Sequence, residues 1–394
     1  MLHEKYLAWG HTKNCMRELS AYGNARKLVI GAENVYDYGL GNPSVPAPES
    51  VAHAIAEVNA APAEDRHAYP PNAGLPEYRR AVAEDLNARF GLDVLPELVY
   101  AICGANAGLA ICCHGLLRPG DEVILLAPYF TEYSVFVESA RAVAVHVPPD
   151  ERMQPDLDAF ARAITKKTRI VLVNTPCNPS GVVLSEETLR GMAALLSEAQ
   201  ARYGRPIYLV TDEPYREVIY DRESIPAPMK FYDNAIMCYS FSKALSLPGE
   251  RIGYLVVGPH MAEREAVFKT LAETAVTLGY RSAPVTMQRA LARCMGQTVD
   301  ISVYKRNRDL LYQGLTALGF RCIEPEGTFY LFMQSPEPDA KQCSERAKKY
   351  ELLLVPSDDF GVTGWLRLAY CVPTDMIERS MPAFRKLAEE YGLC

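Results

Sequence analysis

A single lysine, Lys243, stands in the segment SFSKALSLPGERIG (residues 240–253) among serines and other small residues, with Arg251 eight positions after it. A lysine amine can form a Schiff base with a carbonyl group, and an arginine carries a permanent charge that suits phosphate. A Ser-Lys pair in isolation is more often part of a solvated loop. The chemistry therefore depends on which other groups the fold places beside this lysine.

Four groups of polar, small or aromatic residues follow short apolar runs: CGANAGLA (103–110), APYF (127–130), NTPCNPSG (174–181) and DEPY (212–215). Each group by itself is typical of a turn or of core packing. In a doubly wound sheet, however, ligands bind beyond the carboxyl ends of the strands, where all four groups are expected. The small residues at a helix start suit a phosphate, and the aromatic rings and carboxylate suit a cationic ring. Together with Lys243 they are the parts that a Schiff base with pyridoxal phosphate needs.

Seven short apolar runs between about residues 98 and 257 carry these groups. They are rich in β-branched residues and almost continuously apolar, which is typical of strands buried on both faces. The runs are LVYAI (98–102), EVILL (122–126), VAVHV (143–147), RIVLV (169–173), IYLVT (207–211), AIMCYS (235–240) and GYLVV (253–257). The clearest helix between them follows an N-cap residue, Ser185, and ends at Gly204. This alternation predicts an α/β fold with a mostly parallel, seven-stranded sheet.

The pattern changes after about residue 285. Long helices are predicted over roughly residues 297–318 and 374–391, with short strands near 320–333 and 352–368. We expect a second, smaller α+β domain, with which the first forty residues pack unless they reach across to a partner subunit. The predicted division is an N-terminal arm in residues 1–40 that forms part of the small domain, a large cofactor-binding domain in residues 41–285 and a small C-terminal domain in residues 286–394.

Composition narrows the classes of partner. The chain has 394 residues, of which 49% are apolar and 23% charged, and its formal net charge is −7. It has no block of like charges, so neither nucleic acid nor a membrane is expected as a partner. It has no long apolar run and no signal-peptide core, and its eleven cysteines are scattered, which favours the reducing cytoplasm. The seven histidines are isolated from one another, so no metal site is expected.

The order and spacing of the motifs resemble those of fold-type I pyridoxal-phosphate enzymes of the aspartate aminotransferase superfamily (class I and II aminotransferases). SFSK followed by GERIG is similar to the S-x-S-K-x(7)-R-x-G signature of this superfamily, and NPSG and DEPY precede it at the usual intervals. The resemblance extends from GLGNPSVPAP near residue 40 to GWLRLAY near residue 368. It implies that the large domain binds pyridoxal 5′-phosphate.

The resemblance also implies a role for each matched residue around the cofactor. Lys243 would form the Schiff base and later move a proton between the substrate Cα and the cofactor's C4′. Asp212 would pair with the protonated pyridine nitrogen, and Tyr215 and Asn178 would hydrogen-bond the phenolic oxygen. Phe130 falls where the family stacks a ring on the pyridine. The residues expected to hold the phosphate are Gly104, Ala105, Asn106, Ser240 and Arg251.

Other matches concern the substrate and a partner subunit. Arg367 in GWLRLAY matches the arginine that binds the substrate α-carboxylate, and Gly41 in GNP matches a backbone donor to the same group. Asn178 is expected to contact the substrate as well as the cofactor. Tyr69 in YPPNAGLPEYRR matches a tyrosine that crosses to the cofactor phosphate of the partner, which implies a homodimer with shared active sites.

The chain departs from dicarboxylate-specific members of the superfamily at two positions. One branch has a lysine where Asn106 stands, and another receives an arginine from the partner subunit at the position of Leu278. Neither cation is present here, although Arg281 or Arg17 could take its place. The resemblance therefore defines the reaction class but leaves the amino donor open.

The main prediction is an aminotransferase that moves an α-amino group from an L-amino acid to a 2-oxo acid. A β-eliminating C–S lyase or a β-decarboxylase would use the same lysine, aspartate and arginine but release pyruvate or alanine. A pyridoxal-phosphate-binding regulator is the more remote alternative. Such regulators usually carry a fused winged-helix domain, whereas this sequence enters its aminotransferase-like region within forty residues.

Overall fold

The computed structural model describes residues 4–11 and 15–394, apart from the side chains of residues 64 and 65. Its α-helices are α1 (Glu4–His11), α2 (Cys15–Ile30), α3 (Glu49–Ala60), α4 (Ala63–Arg66), α5 (Pro76–Phe90), α6 (Ala105–Leu116), α7 (Glu132–Ser139), α8 (Leu157–Ala163), α9 (Glu186–Tyr203), α10 (Phe241–Ala244), α11 (Arg264–Thr277), α12 (Val285–Leu291), α13 (Ile301–Ala317), α14 (Ala340–Ala347) and α15 (Thr374–Glu390).

The strands are β1 (Tyr36–Asp37), β2 (Val99–Ile102), β3 (Glu122–Leu126), β4 (Val143–Val147), β5 (Thr168–Asn174), β6 (Tyr208–Asp212), β7 (Ala235–Ser240), β8 (Gly253–Val257), β9 (Cys322–Ile323), β10 (Tyr330–Gln334), β11 (Leu352–Leu353), β12 (Val355–Pro356) and β13 (Trp365–Ala369). The chain separates into two compact units. One unit comprises Pro43–Ile301 and Glu326–Thr328; the other comprises the N-terminal segment to Asn42, Ser302–Pro325 and Phe329–Cys394.

The larger unit is built around a seven-stranded sheet of order β2-β8-β7-β6-β5-β3-β4. Its pairs are parallel except for the two that involve β8. Strands covered on both faces must be apolar throughout, and β2, β6, β7 and β8 are buried at every residue. Because β5, β6 and β7 are parallel neighbours, their carboxyl ends at Asn174, Asp212 and Ser240 lie along one edge of the sheet.

The capping residues of α9 show why the sequence forms a helix there. The Ser185 hydroxyl accepts a hydrogen bond of 3.0 Å from the Thr188 N–H group. Gly204 ends the helix in the left-handed conformation, with φ 63°, which glycine adopts at little cost. The helix predicted between Ser185 and Gly204 is confirmed.

The smaller unit has a four-stranded antiparallel sheet of order β12-β13-β10-β9 and a parallel pair of β1 with β11. Tyr36 and Asp37 pair with Leu352 and Leu353, so β1 packs with the C-terminal part of the chain. The helix α15 presents buried residues along one face, and Phe384 on that face contacts the ring of Tyr38 at 5.7 Å between centroids.

The predicted α/β fold with a mostly parallel sheet is confirmed, and all seven predicted strands lie in that sheet. The C-terminal strands are shorter than predicted because residues with positive φ interrupt them, among them Thr328, Gly361 and Gly364. The predicted domain boundaries stay a prediction. Across residues 4–11 and 15–394, no helix is long and apolar enough to cross a membrane, and no group of three or more metal-binding side chains is found.

Candidate active site

Asp212 ends β6 at the carboxyl edge of the sheet and is 6% exposed. Its Oδ2 accepts a hydrogen bond of 2.6 Å from the hydroxyl of Tyr133. Its Oδ1 is buried and has no hydrogen-bond partner in the described part of the chain. A buried carboxyl oxygen without a donor costs free energy of folding. The position therefore suits a ligand that brings an N–H group to Oδ1.

The surroundings of Asp212 favour its neutral form until such a ligand binds. Burial raises the pKa of Asp212 to about 7; the hydrogen bond from Tyr133 lowers it, the charge of Glu213 raises it, and the charge of Lys243 lowers it. A cationic N–H group at Oδ1 would favour the ionised carboxylate. In return, the carboxylate would raise the pKa of that N–H group and keep it protonated.

Lys243 lies in α10, a single helical turn directly after β7. The turn begins at Ser240, whose hydroxyl accepts a hydrogen bond of 3.3 Å from the Ser242 N–H group. Nζ of Lys243 lies 5.9 Å from the centroid of the Tyr215 ring. Tyr215 is 3% exposed and follows β6 by three residues. Lys243, Tyr215 and Asp212 thus follow the ends of two adjacent parallel strands.

Asn174 links two of the segments that the sequence singled out. Its side-chain amide donates a hydrogen bond of 2.8 Å to the backbone carbonyl of Asp212, and its Oδ1 accepts one of 2.7 Å from the Asn178 N–H group. The structure therefore fixes Asn178, which is 6% exposed, relative to Asp212. Asn174 is not among the predicted site residues, although an asparagine four residues before another in a Pro-rich turn is typical of local side-chain-to-backbone bonding.

Arg251 lies across the start of α6. Its guanidinium donates to the Cys103 carbonyl at 3.4 Å and to the Ser242 hydroxyl at 3.5 Å. Arg251 itself has φ 51°, a left-handed conformation that is uncommon for residues other than glycine and clusters at functional sites. Gly104, the N-cap residue of α6, has φ 82°, and a Cβ atom there would stand 2.6 Å from Arg251 Nη2. Both its backbone conformation and the approach of Arg251 require a glycine.

The start of α6 and its neighbours make a candidate anion site. Backbone N–H groups at a helix start have no partner within the helix and attract anions. Ala105 is the first residue of α6, and the guanidinium of Arg251 lies beside it at Gly104. The hydroxyls of Ser240 and Ser242 are 2.6 Å apart and add further polar groups. The arrangement can bind a phosphate through a permanent charge, N–H groups and hydroxyls.

Asn106 and Phe130 have different neighbours from those of the anion site. Asn106 is exposed, and its side-chain amide donates a hydrogen bond of 2.7 Å to the Glu132 carboxylate. Its amide is thus directed toward a carboxylate, while its backbone lies in the first turn of α6. Phe130 contacts Tyr133 edge to face, with the ring centroids 5.7 Å apart. This contact places Phe130 next to the Tyr133–Asp212 pair.

Two predicted residues lie in the smaller unit. Arg367 in β13 is 2% exposed, and its Nη2 donates a hydrogen bond of 2.7 Å to the Gly39 carbonyl. Its guanidinium lies over the ring of Tyr330 at 4.5 Å and over that of Phe360 at 5.1 Å. A Cβ atom at Gly41 would overlap the hydroxyl of Tyr330. Both predicted carboxylate-binding residues therefore lie against the same tyrosine.

Tyr69 is a predicted site residue whose side chain is almost fully exposed. It lies in the larger unit and is 97% exposed. An aromatic ring that is so exposed contributes little to the packing of its own chain.

Comparisons with known proteins concern the family and the fold of the chain. The family model described as aminotransferase class I and II matches residues 31–384. The chain is similar to the probable aspartate/prephenate aminotransferase of Thermus aquaticus, with 33% identity over 92% of this chain and 94% of that protein. It is also similar to the aspartate/prephenate aminotransferase of Thermus thermophilus, with 32% identity and the same coverage.

Two solved structures are similar as well. An amino transferase from Eubacterium rectale has a TM-score of 0.97 and 43% sequence identity, and the match covers 100% of this chain and 99% of that chain. The aspartate aminotransferase from Thermus thermophilus, solved with maleate, has a TM-score of 0.87 and 29% identity, covering 98% of this chain and 99% of that chain.

Proposed function

The chain belongs to the class I and II aminotransferases, and from this premise we propose which of its residues carry out the amino transfer. The protein is a pyridoxal-phosphate-dependent aminotransferase that acts on amino acids and 2-oxo acids. No finding favours the lyase or the regulator. The observation that best supports the assignment of the site is the buried Oδ1 of Asp212, which has no hydrogen-bond partner among the described residues.

The residues present fit the cofactor. When bound, pyridoxal phosphate supplies a protonated pyridine ring that accepts electrons from the substrate Cα. The N–H of such a ring would satisfy Asp212 Oδ1, and its phosphate would suit the anion site at Arg251 and the start of α6. Phe130, which lies beside Tyr133, offers a ring face next to this position. We therefore propose that these groups hold the cofactor.

Lys243 and its neighbours would carry the proton chemistry. We propose that Nζ of Lys243 binds the cofactor covalently in the resting enzyme and, once released, takes the proton from the substrate Cα and returns it. The centroid of the Tyr215 ring is 5.9 Å from Nζ, so this ring lies beside the amine. Tyr215 and Asn178 would donate hydrogen bonds to the cofactor's phenolic oxygen, and Asp212 would keep its negative charge against the ring N–H.

Substrate binding is proposed for Arg367 and Gly41. A guanidinium held between two rings and fixed by one carbonyl has little freedom to reorient, so it is preorganised for a carboxylate that binds through two hydrogen bonds. Both Thermus relatives are named aspartate/prephenate aminotransferases, so aspartate is the first donor to test. The bond from Asn106 to Glu132 weighs against a strong preference for dicarboxylates, because it places a carboxylate where some related enzymes have a cation.

We also propose a cytoplasmic homodimer in which Tyr69 completes the site of the partner. The exposure of Tyr69, 97%, supports this proposal together with the family resemblance, and the eleven free thiols suit a reducing compartment. Mixing Lys243→Ala chains with Tyr69→Ala chains tests the sharing of sites. Random exchange makes half of the dimers mixed, and each mixed dimer has one intact site, so activity should recover to roughly a quarter of wild type. No recovery with mixed dimers present would mean that Tyr69 serves its own subunit.

A substrate panel tests the reaction itself. The enzyme is incubated with single L-amino acids, first alone and then with 2-oxoglutarate or pyruvate. We expect one stoichiometric conversion of the cofactor without an oxo acid, and continuous turnover with one. Continuous release of pyruvate or alanine from the amino acid alone would instead identify a lyase or a β-decarboxylase.

A further inference from the structure

Tyr133 connects the start of α7 to the carboxylate of Asp212. It is 1% exposed, and its hydroxyl lies 2.6 Å from Asp212 Oδ2, within the normal range for an O–H···O hydrogen bond. The edge-to-face contact with Phe130, at an interplanar angle of 82°, supports the ring from the side. The hydroxyl is therefore presented to Asp212 by a buried ring that packs against Phe130.

This hydrogen bond makes the two carboxyl oxygens of Asp212 different from each other. Oδ2 is occupied by the Tyr133 hydroxyl, and Oδ1 is left for another donor. Without the hydroxyl, the carboxyl group could rotate about its Cβ–Cγ bond, and either oxygen, or a neutral O–H group, could face the ligand. The tyrosine thus determines both the direction of the carboxylate and the atom that it offers.

We propose that Tyr133 is a positioning residue: it fixes the carboxylate of Asp212 so that ionised Oδ1 faces the ring nitrogen of the cofactor. This inference rests on the role proposed above for Asp212. It adds a residue that contacts neither the reacting atoms nor the cofactor's ring nitrogen and that acts through Asp212.

The groups around Asp212 make the hydrogen bond from Tyr133 important for its ionisation. Burial raises the pKa of the Tyr133 hydroxyl well above its usual value, so the group remains a donor at neutral pH. Of the neighbours that lower the pKa of Asp212, Tyr133 has the larger influence and Lys243 the smaller. The titratable groups that interact with Asp212 or Tyr133 are Glu213, Tyr215, Lys243, Cys177 and Cys238.

The test is Tyr133→Phe in the holoenzyme, with Tyr232→Phe as the matched control. Tyr232 is also buried in the larger unit, but its hydroxyl donates to the Ile207 carbonyl just before β6, at the opposite end of that strand. A hydrogen bond to a charged group contributes enough that its loss should lower kcat roughly 10- to 100-fold. The apoenzyme of Tyr133→Phe should also bind pyridoxal phosphate about tenfold more weakly, measured by equilibrium dialysis.

The pH dependence separates positioning from a purely structural effect. Without the tyrosine hydroxyl the pKa of Asp212 should rise, so the acid limb of the kcat/KM profile should move to higher pH in Tyr133→Phe and stay in place in Tyr232→Phe. The pH-dependent absorption of the bound cofactor should shift in the same direction. An unchanged profile and unchanged cofactor affinity in Tyr133→Phe would overturn the proposal.

A double-mutant cycle with Asp212→Asn keeps this proposal distinct from that for Asp212. If Tyr133 acts through Asp212, adding Tyr133→Phe to Asp212→Asn should cost little more than Asp212→Asn alone. Additive losses would overturn the positioning role. If Asp212→Asn itself binds the cofactor and turns over normally, the proposed site fails before Tyr133 is considered.

A second substitution covers the case in which Tyr133→Phe does not fold. A 3-fluorotyrosine inserted at position 133 keeps the ring and the hydroxyl but makes the hydroxyl a stronger hydrogen-bond donor. The acid limb should then move to lower pH, opposite to the shift expected for Tyr133→Phe. A shift to higher pH with the fluorinated residue would contradict the proposal.

Discussion

Asp212 and Glu213 are consecutive buried carboxylates that accept similar hydrogen bonds but face different groups. Each accepts a hydrogen bond of 2.6 Å at one oxygen, Asp212 from Tyr133 and Glu213 from Thr211. Each has a second oxygen without a hydrogen-bond partner among the described residues. For Glu213 that oxygen lies 3.6 Å from Nη1 of Arg216, a cation of the same chain.

The difference separates a structural charge from one prepared for a ligand. Glu213 belongs to a cluster around Arg216, which is buried and whose guanidinium lies over Phe90 at 4.9 Å and over Tyr239 at 4.5 Å. Arg216 also approaches Glu217 at 3.3 Å. With Arg89, which lies 3.1 Å from Glu217, the cluster is neutralised by the chain itself. Asp212 Oδ1, in contrast, lies at the strand end where the residues proposed to bind the cofactor follow one another. We expect changes on the Asp212 side to affect activity and changes on the Glu213 side to affect stability.

The largest effect is expected at Lys243. Lys243→Ala should lower kcat by roughly 10⁴-fold or more, because both the covalent attachment and the proton transfer at Nζ are lost. Borohydride reduction followed by peptide mapping should label Lys243 in the wild type. The control Lys269→Ala removes an exposed lysine from α11 and should leave the label and the activity in place. A labelled lysine elsewhere would contradict the assignment.

The next effect is on stability and concerns Arg216. Arg216→Met leaves Glu213 and Glu217 buried with their shared cation removed, so the free energy of unfolding should fall by about 3–5 kcal/mol at pH 8. Burial raises the pKa of Glu213, so part of the loss should be recovered at pH 5, where that carboxyl can take up a proton. Urea denaturation at both pH values measures the change.

The matched control for Arg216 is a partly exposed pair, Arg222 with Glu326. Arg222→Met should cost no more than about 1 kcal/mol, because solvent screens an exposed ion pair. Equal losses for the two methionine variants would mean that the buried cluster has no special role in stability.

Asp212 should make the stability of the apoenzyme depend on pH, by an amount similar to the loss expected for Arg216→Met. Its pKa is raised from 3.8 to about 7, so the folded state holds the proton more tightly than the unfolded state. The stability linked to this group is complete below pH 4 and is lost as the pH rises toward 7. At 1.36 kcal/mol per pKa unit the loss is about 4 kcal/mol. Asp212→Asn should lack this loss, so it should be more stable than the wild-type apoenzyme at pH 8 by thermal melting. Identical pH curves would contradict the account.

The smallest effect concerns substrate choice at Asn106. Asn106→Lys combined with Glu132→Gln replaces an amide-bound carboxylate by a cation. An exposed ion pair contributes roughly 1 kcal/mol, so kcat/KM for aspartate relative to alanine should rise about fivefold. Gln342→Lys adds one positive charge, as Asn106→Lys does by itself, but in the smaller unit, and it should leave the ratio unchanged. An unchanged ratio in the double variant would mean that this position does not contact the substrate's side chain.

The strands of the large sheet, and the motif residues at their ends, could be predicted from the sequence. Seven nearly continuous apolar runs can be recognised because a sheet covered on both faces needs them, and the turns after them hold unusual residues such as Asp212 and Lys243. The short C-terminal strands were harder to predict, because single residues with positive φ, such as Thr328 and Gly361, divide them.

Supporting residues were missed for a different reason. Tyr133 in TEYS resembles any tyrosine at a helix start, and Arg216 in YREVIY resembles an exposed arginine, yet both are buried. Their roles depend on contacts with residues 79 positions away for Tyr133 and 38 positions away for Arg216, which local patterns do not reveal. The spacing of three residues between Phe130 and Tyr133, across the start of α7, was a usable signal that the two rings are neighbours.

The comparison of Asp212→Asn with Glu213→Gln tests the central claim most directly. Both substitutions replace one buried carboxylate by an amide of the same size at adjacent positions. Asp212→Asn should lower kcat by about 10²-fold or more without loss of stability, because a charge-assisted partner of the cofactor is removed. Glu213→Gln should lower stability by about 1–3 kcal/mol with kcat close to wild type, because Arg216 loses a partner. Near-normal kcat in Asp212→Asn together with a large loss of kcat in Glu213→Gln would contradict the account.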